Sequence, residues 1–192
     1  MRLFPRLALL LLPLLLGACR FENPLTSSPS EALNTWLLGE WELKEKGGVS
    51  SAVVSPLPND RYSIHVSLSP QAAKGRRDYD FEAWASRVGN STFFTLRNLR
   101  NAPDLPEGAH VFLHAQMIDQ VTVRLRSLQL DSPDNATSQE LRKEIRTRLK
   151  EGSLYKESKD WRRVAEIYWT KEGETGLFKP LRFAVPTSTD QP

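Results

Sequence analysis

The sequence predicts a mainly β domain. It reads as an antiparallel meander of about eight to nine strands, closed into a barrel or bent into a strongly curved sheet. One amphipathic helix, about 138–151, is inserted before the last two strands. Three observations predict this. Apolar and polar residues alternate with period 2 through most of the chain from about 37 to 184. Short turn-forming stretches separate the alternating runs. One segment alone breaks the alternation and repeats its apolar residues every fourth position.

Strands are expected at 39–46, 50–55, 61–69, 78–86, 91–98, 110–118, 120–128, 163–170 and 177–184. In the third, Tyr62, Ile64, Val66 and Leu68 share one face, and Arg61, Ser63, His65 and Ser67 the other. In the fourth, Tyr79, Phe81, Ala83 and Ala85 oppose Asp78, Asp80, Glu82 and Trp84. Val111, Leu113, Ala115 and Met117 oppose His110, Phe112, His114 and Gln116, and Val123 and Leu125 oppose Arg124 and Arg126. This is the pattern of half-buried strands. Val88-Gly89-Asn90-Ser91 carries a hairpin signature, Ile118-Asp119-Gln120 is a very short connection, and 171–176 joins the last pair. Short connections between successive strands make them antiparallel.

The helix has its own start and stop signals. Thr137 stands three residues before Glu140, the spacing of a capping box. Leu141, Ile145 and Leu149 form a narrow apolar stripe, and Gly152 fits the stop. Glu144 and Arg148 are spaced for an i,i+4 ion pair. The helix is expected to lie on the barrel as a lid or plug.

The chain has 192 residues, 40% of them hydrophobic and 26% charged, which suits one ordinary domain and excludes a polytopic membrane protein or a wholly disordered chain. Its single cysteine excludes an internal disulfide framework and a multi-cysteine zinc site. Arg2 and Arg6 precede a leucine-rich run from Leu7 to Leu16, too short to span a bilayer. This is the layout of an export signal. Leu16-Gly17-Ala18-Cys19 resembles the lipobox of bacterial lipoproteins. The resemblance implies cleavage before Cys19, a diacylglyceryl group on its thiol and acylation, as by palmitate, of its new amine. Arg20, in place of the Asp that retains such proteins in the inner membrane, implies the outer membrane, facing the periplasm.

The expected organisation is a lipoprotein signal at 1–18, lipidated Cys19 with a flexible tether to 35, one β-rich domain at 36–184 and a disordered tail at 185–192. The tether contains Pro24, Pro29 and a Thr-Ser-Ser cluster, and at full extension it reaches about 55 Å. Loss of 1–18 removes two arginines and no acid, leaving 24 basic and 23 acidic residues, a net charge of +1 against +3 for the whole chain.

No motif for catalysis or phosphate binding is found, and neither a metal nor a cofactor is expected. His110 and His114 lie about 13 Å apart along one strand face, too far to share one ion, and His65 is left to approach either of them from another strand. Asp78, Asp80 and Glu82 have the spacing of an acid–base pair but the alternation of a solvated face. Glu140, Glu144 and Glu151 interleave with the basic residues of the helix, which with the export signal argues against a nucleic-acid partner.

Gly39-Glu40-Trp41 resembles the Gly-x-Trp motif of lipocalins. That resemblance implies a lipocalin-like, or calycin-like, barrel closed at one end by Trp41, with Arg163 or Arg182 packed over its ring. The chain differs from that family in placing its helix before the last two strands. The expected function is that of a noncatalytic, membrane-anchored envelope lipoprotein binding an apolar or amphipathic small ligand. Ile64, Val66, Phe81, Val123 and Leu125 are the candidate ligand residues. The alternatives are a structural or protein-interaction module of the envelope with a filled core, and a hydrolase with an unrecognised site.

Overall fold

Gly39 opens the first strand with a φ of 134°, a conformation that favours glycine. From there a computed structural model places nine strands: β1 Gly39–Glu45, β2 Gly48–Leu57, β3 Arg61–Leu68, β4 Arg77–Val88, β5 Ser91–Asn98, β6 His110–Met117, β7 Thr122–Leu128, β8 Tyr155–Glu172 and β9 Leu177–Ala184. The structure describes residues 20–45, 48–69, 77–100, 105–172 and 177–184, and from 165 onward the backbone alone. The expected signal, Cys19 and the expected tail lie outside the described residues.

Each strand pairs antiparallel with the next, and β1 also pairs with β8. Eight strands therefore close into a barrel. Strand β8 serves three partners along its length: β7 up to Arg162, β1 from Arg162 to Ala165, and β9 from Ala165 to Glu172. The expected fold class, helix placement included, is what the chain forms. β8 begins eight residues earlier than the sequence suggests. Its first half, Tyr155 to Arg162, is mostly charged and lacks an apolar face, so alternation gives no signal there.

Period-2 patterning separates two cores. Trp41, Val54, Tyr62, Val66, Phe81, Leu96, Leu113, Val123 and Trp161 pack together in the lumen. On the other face of the wall, Val88, Phe93 and Phe112 pack with Leu141 and Ile145 of the helix and with Phe21 and Leu25. Elsewhere the outer wall is charged: Arg61 pairs with Glu82 at 2.6 Å, Arg97 with Glu82 at 2.7 Å and Arg124 with Asp160 at 2.7 Å. Apolar inside and charged outside is the reverse of a barrel that faces lipid.

Helix α1, Ser138–Glu151, has the expected capping box between Thr137 and Glu140, and Gly152 ends it in a left-handed conformation at φ 73°. The Glu144–Arg148 pair forms at 2.7 Å. The lid-or-plug expectation is corrected: the apolar stripe covers the outer wall at β4–β6, not the lumen. The stripe's partner is an apolar patch of the outer wall, formed by Val88, Phe93 and Phe112.

The tether is also corrected. Residues 20–34 are a strap bound along the outside of the barrel. Phe21 exchanges both backbone hydrogen bonds with His110, at 2.9 and 2.8 Å, and stacks on Phe112 at 5.1 Å. Asn23 donates to the Ala136 carbonyl at 3.1 Å, and Ser138 donates to that of Pro24 at 2.6 Å. Trp84 donates its indole N–H to the Thr26 carbonyl at 3.0 Å, so this tryptophan underlies the strap. Lower down, Ser30 N–H reaches the Ala85 carbonyl, Leu33 N–H the Asp60 carboxylate and Asn34 N–H the Tyr62 hydroxyl. Two apolar residues spaced four apart, Phe21 and Leu25, are 2% and 0% exposed. They are too few to show periodicity, but enough to hold the segment down.

Candidate functional site

The inward residues of adjacent strands leave an apolar cavity in the lumen, of about 110 Å³. Fourteen residues line it. Val54 of β2, Ile64 and Val66 of β3, and Val123 and Leu125 of β7 give branched aliphatic walls. Ala52 and Ala115 keep the space open, because short side chains at those inward positions leave the centre unfilled. Trp41, Tyr62, Phe94 and Trp161 contribute aromatic faces, with Leu37 below them.

The polar tips of these residues turn away from the cavity. Tyr62 accepts from Asn34 N–H at 2.6 Å, and burial raises the pKa of its phenol. Trp41 donates its indole N–H to the Leu37 carbonyl at 3.0 Å. The Trp161 indole N–H is buried and has no acceptor.

Four expected ligand residues, Ile64, Val66, Val123 and Leu125, line the cavity. Phe81 does not. It lies in the same core, 0% exposed and stacked on Tyr79 at 6.1 Å, nearer the other end of the barrel. The Arg163 guanidinium sits over Trp41 with its carbon 4.7 Å from the ring centre, and it also donates to the Trp36 carbonyl. Arg182 pairs with Ile167 through the backbone of β9, and its side chain lies outside the described residues. Alternation already places Tyr62, Leu113 and Ala115 on the lumen face. Trp161 gives no such signal, because it stands in the charged half of β8. Leu37 belongs to a 3-10 turn, Thr35–Leu37, whose position depends on the strap.

The histidines stand in three separate settings. His65 meets Asp80 at 2.8 Å, His110 meets the Glu22 carbonyl at 3.1 Å, and His114 meets the Tyr155 hydroxyl at 2.7 Å. Among the described residues no group of three histidine, cysteine or acidic side chains is placed to hold a metal ion. Asp80 and Glu82 are engaged by arginines on the outer wall, with Arg100 on Asp80 at 2.6 Å. The lining of the cavity presents apolar atoms alone to the enclosed space.

The chain matches no family model, no curated protein and no solved structure.

Proposed function

We propose that this protein is an envelope lipoprotein, held to the outer membrane on its periplasmic face by acyl chains on Cys19, whose barrel binds a small apolar group without catalysis. The cavity is the observation that carries the binding reading. Protein interiors hold few voids larger than a water molecule. A space of about 110 Å³ lined by apolar atoms leaves its lining short of packing partners, which costs stability. An occupant offsets that cost. The volume suits a ring or the end of an acyl chain, since an engineered apolar cavity of about 150 Å³ takes up benzene. It does not suit a whole lipid. The pairing of Trp41 with Arg163 below the cavity supports a lipocalin-like reading. Lipidation rests on the likeness of Leu16-Gly17-Ala18-Cys19 to a lipobox.

The second reading, a protein-interaction module, draws on Trp36 and Ile118, which are 67% and 44% exposed. Benzene separates the two. In the binding reading, saturating benzene raises the Tm of the membrane-extracted protein. Ala115→Leu, which fills the cavity, keeps the fold and removes that shift. Native mass spectrometry of the same preparation shows an added apolar mass. No shift and no added mass would sink the binding reading and leave the interaction module.

A further inference from the structure

The strap sets how the barrel meets the membrane. Strand direction sorts the ends of the barrel. At one end β1, β3, β5 and β7 finish and β2, β4, β6 and β8 begin, and the chain enters the described structure there, with Phe21 locked to the first residue of β6. Arg20 pairs with Asp134 at 3.3 Å, and Glu22 N–H donates to the Asp134 carbonyl at 2.8 Å. Two peptide units join Cys19 to Phe21, so their Cα atoms are at most about 7.6 Å apart in any conformation. The strap then descends the wall past Ala85 and Asp60 to the opposite end, where Thr35–Leu37 leads into β1.

We propose that the barrel docks on the lipid surface through the end at which β6 begins, with its cavity extending toward the far end. This rests on the proposed acylation of Cys19. The length of chain decides it: one residue, Arg20, separates the acylated position from a side chain that is 2% exposed in the fold. An anchor this short leaves the domain no room to turn over. The occupant of the docking face is the membrane that holds the anchor. Val49 and Leu99 stand at this end, 48% and 40% exposed, where they reach the headgroup region. The lumen here is packed by Leu68, Tyr79, Phe81 and Leu105. The cavity occupies the middle of the barrel, with Val66 and Leu96 on its near side, and extends toward the other end, where Leu37 precedes β1, Tyr62 stands early in β3 and Val123 early in β7. An occupant therefore exchanges with the aqueous side or with a partner across it, not with the anchoring bilayer.

The experiment uses the acylated full chain in vesicles of phosphatidylethanolamine and phosphatidylglycerol carrying a headgroup-level spin-labelled lipid. Cys19 is the only cysteine, and acylation consumes its thiol, so Leu99→Cys and Ile118→Cys each take a single fluorophore. The label at 99 is quenched at least threefold more than the label at 118. A twelve-residue Gly-Ser insertion between Arg20 and Phe21 abolishes the difference while the protein stays membrane-bound. Equal quenching, or stronger quenching at 118, overturns the proposal. The mass of the N-terminal peptide separates the two layers. An acylated Cys19 with equal quenching removes the orientation alone. An unmodified Cys19 removes the anchor and the orientation with it.

Discussion

Trp41 and Arg163 are cross-strand partners at the β1–β8 seam that closes the barrel, and the guanidinium carbon lies 4.7 Å from the ring centre. Arg163 is only 9% exposed, and its donation to the Trp36 carbonyl ties the seam to the 3-10 turn. A desolvated cation–π contact is worth about 2 kcal/mol, and a charged hydrogen bond adds to it. Arg163→Ala is expected to lower the unfolding free energy by about 2–3 kcal/mol in urea titrations. Arg163→Lys recovers less than half, because an ammonium does not stack as a plane while donating in a fork. A loss below about 0.5 kcal/mol for Arg163→Ala would mean the seam closes without this contact.

Trp41 and Trp161, both in the lumen, differ in one atom's surroundings. The Trp41 indole N–H holds the Leu37 carbonyl, whereas that of Trp161 is buried without an acceptor. Replacement by phenylalanine removes similar bulk from each, but only at Trp41 does it leave a carbonyl without its donor. Trp41→Phe is expected to cost about 1–2 kcal/mol more than Trp161→Phe. Equal costs in the same denaturation assay would show that the hydrogen bond contributes nothing net.

The strap is structural. Phe21 and Leu25 are fully buried, so Phe21→Ala and Leu25→Ala each cost about 2–5 kcal/mol. Trp36→Ala, at an exposed site, stays within about 0.5 kcal/mol. A soluble form starting at residue 36 should melt well below one starting at residue 20. Matching melting curves for these two forms would return the segment to the role of a tether.

Acid weakens the fold in two stages. Burial lowers the pKa of His110, and burial followed by the Arg126 charge lowers that of His114. The unfolded chain takes up these protons near pH 6.5, before the folded chain does. The stability is therefore complete above about pH 6.5 and declines as pH falls from there through the lowered folded values. Asp160, held low by Arg124, adds its loss only below about pH 4. The urea midpoint should fall between pH 7.5 and 5.5, and His110→Gln with His114→Gln should flatten that part of the curve. An unchanged slope in the double variant would assign it to other groups.

Much of the wall was legible because a strand covered on one face must alternate. That rule placed Ile64, Val66, Val123 and Leu125 inward, where they line the cavity. It also placed Phe81 inward, but alternation assigns a face and not a height, and Phe81 sits at the filled end. The rule failed at Tyr155–Arg162, where both faces carry charge because Arg124–Asp160 and Lys159–Glu45 are cross-strand ion pairs. Capping chemistry marked both ends of α1 correctly, since Thr137, Glu140 and Gly152 act within one turn of the chain.

The sequence by itself determined the β meander, the helix and its caps, and the candidate anchor, because each depends on residues a few positions apart. Only the tertiary structure decided that 20–34 is a strap, that the helix covers the outer wall and that a void remains beside Ala52 and Ala115. Those features depend on which surfaces meet across long sequence separations. Phe21 finds Phe112, and Trp41 finds Arg163, only after eight strands have closed, and no local pattern encodes how much space their side chains leave between them.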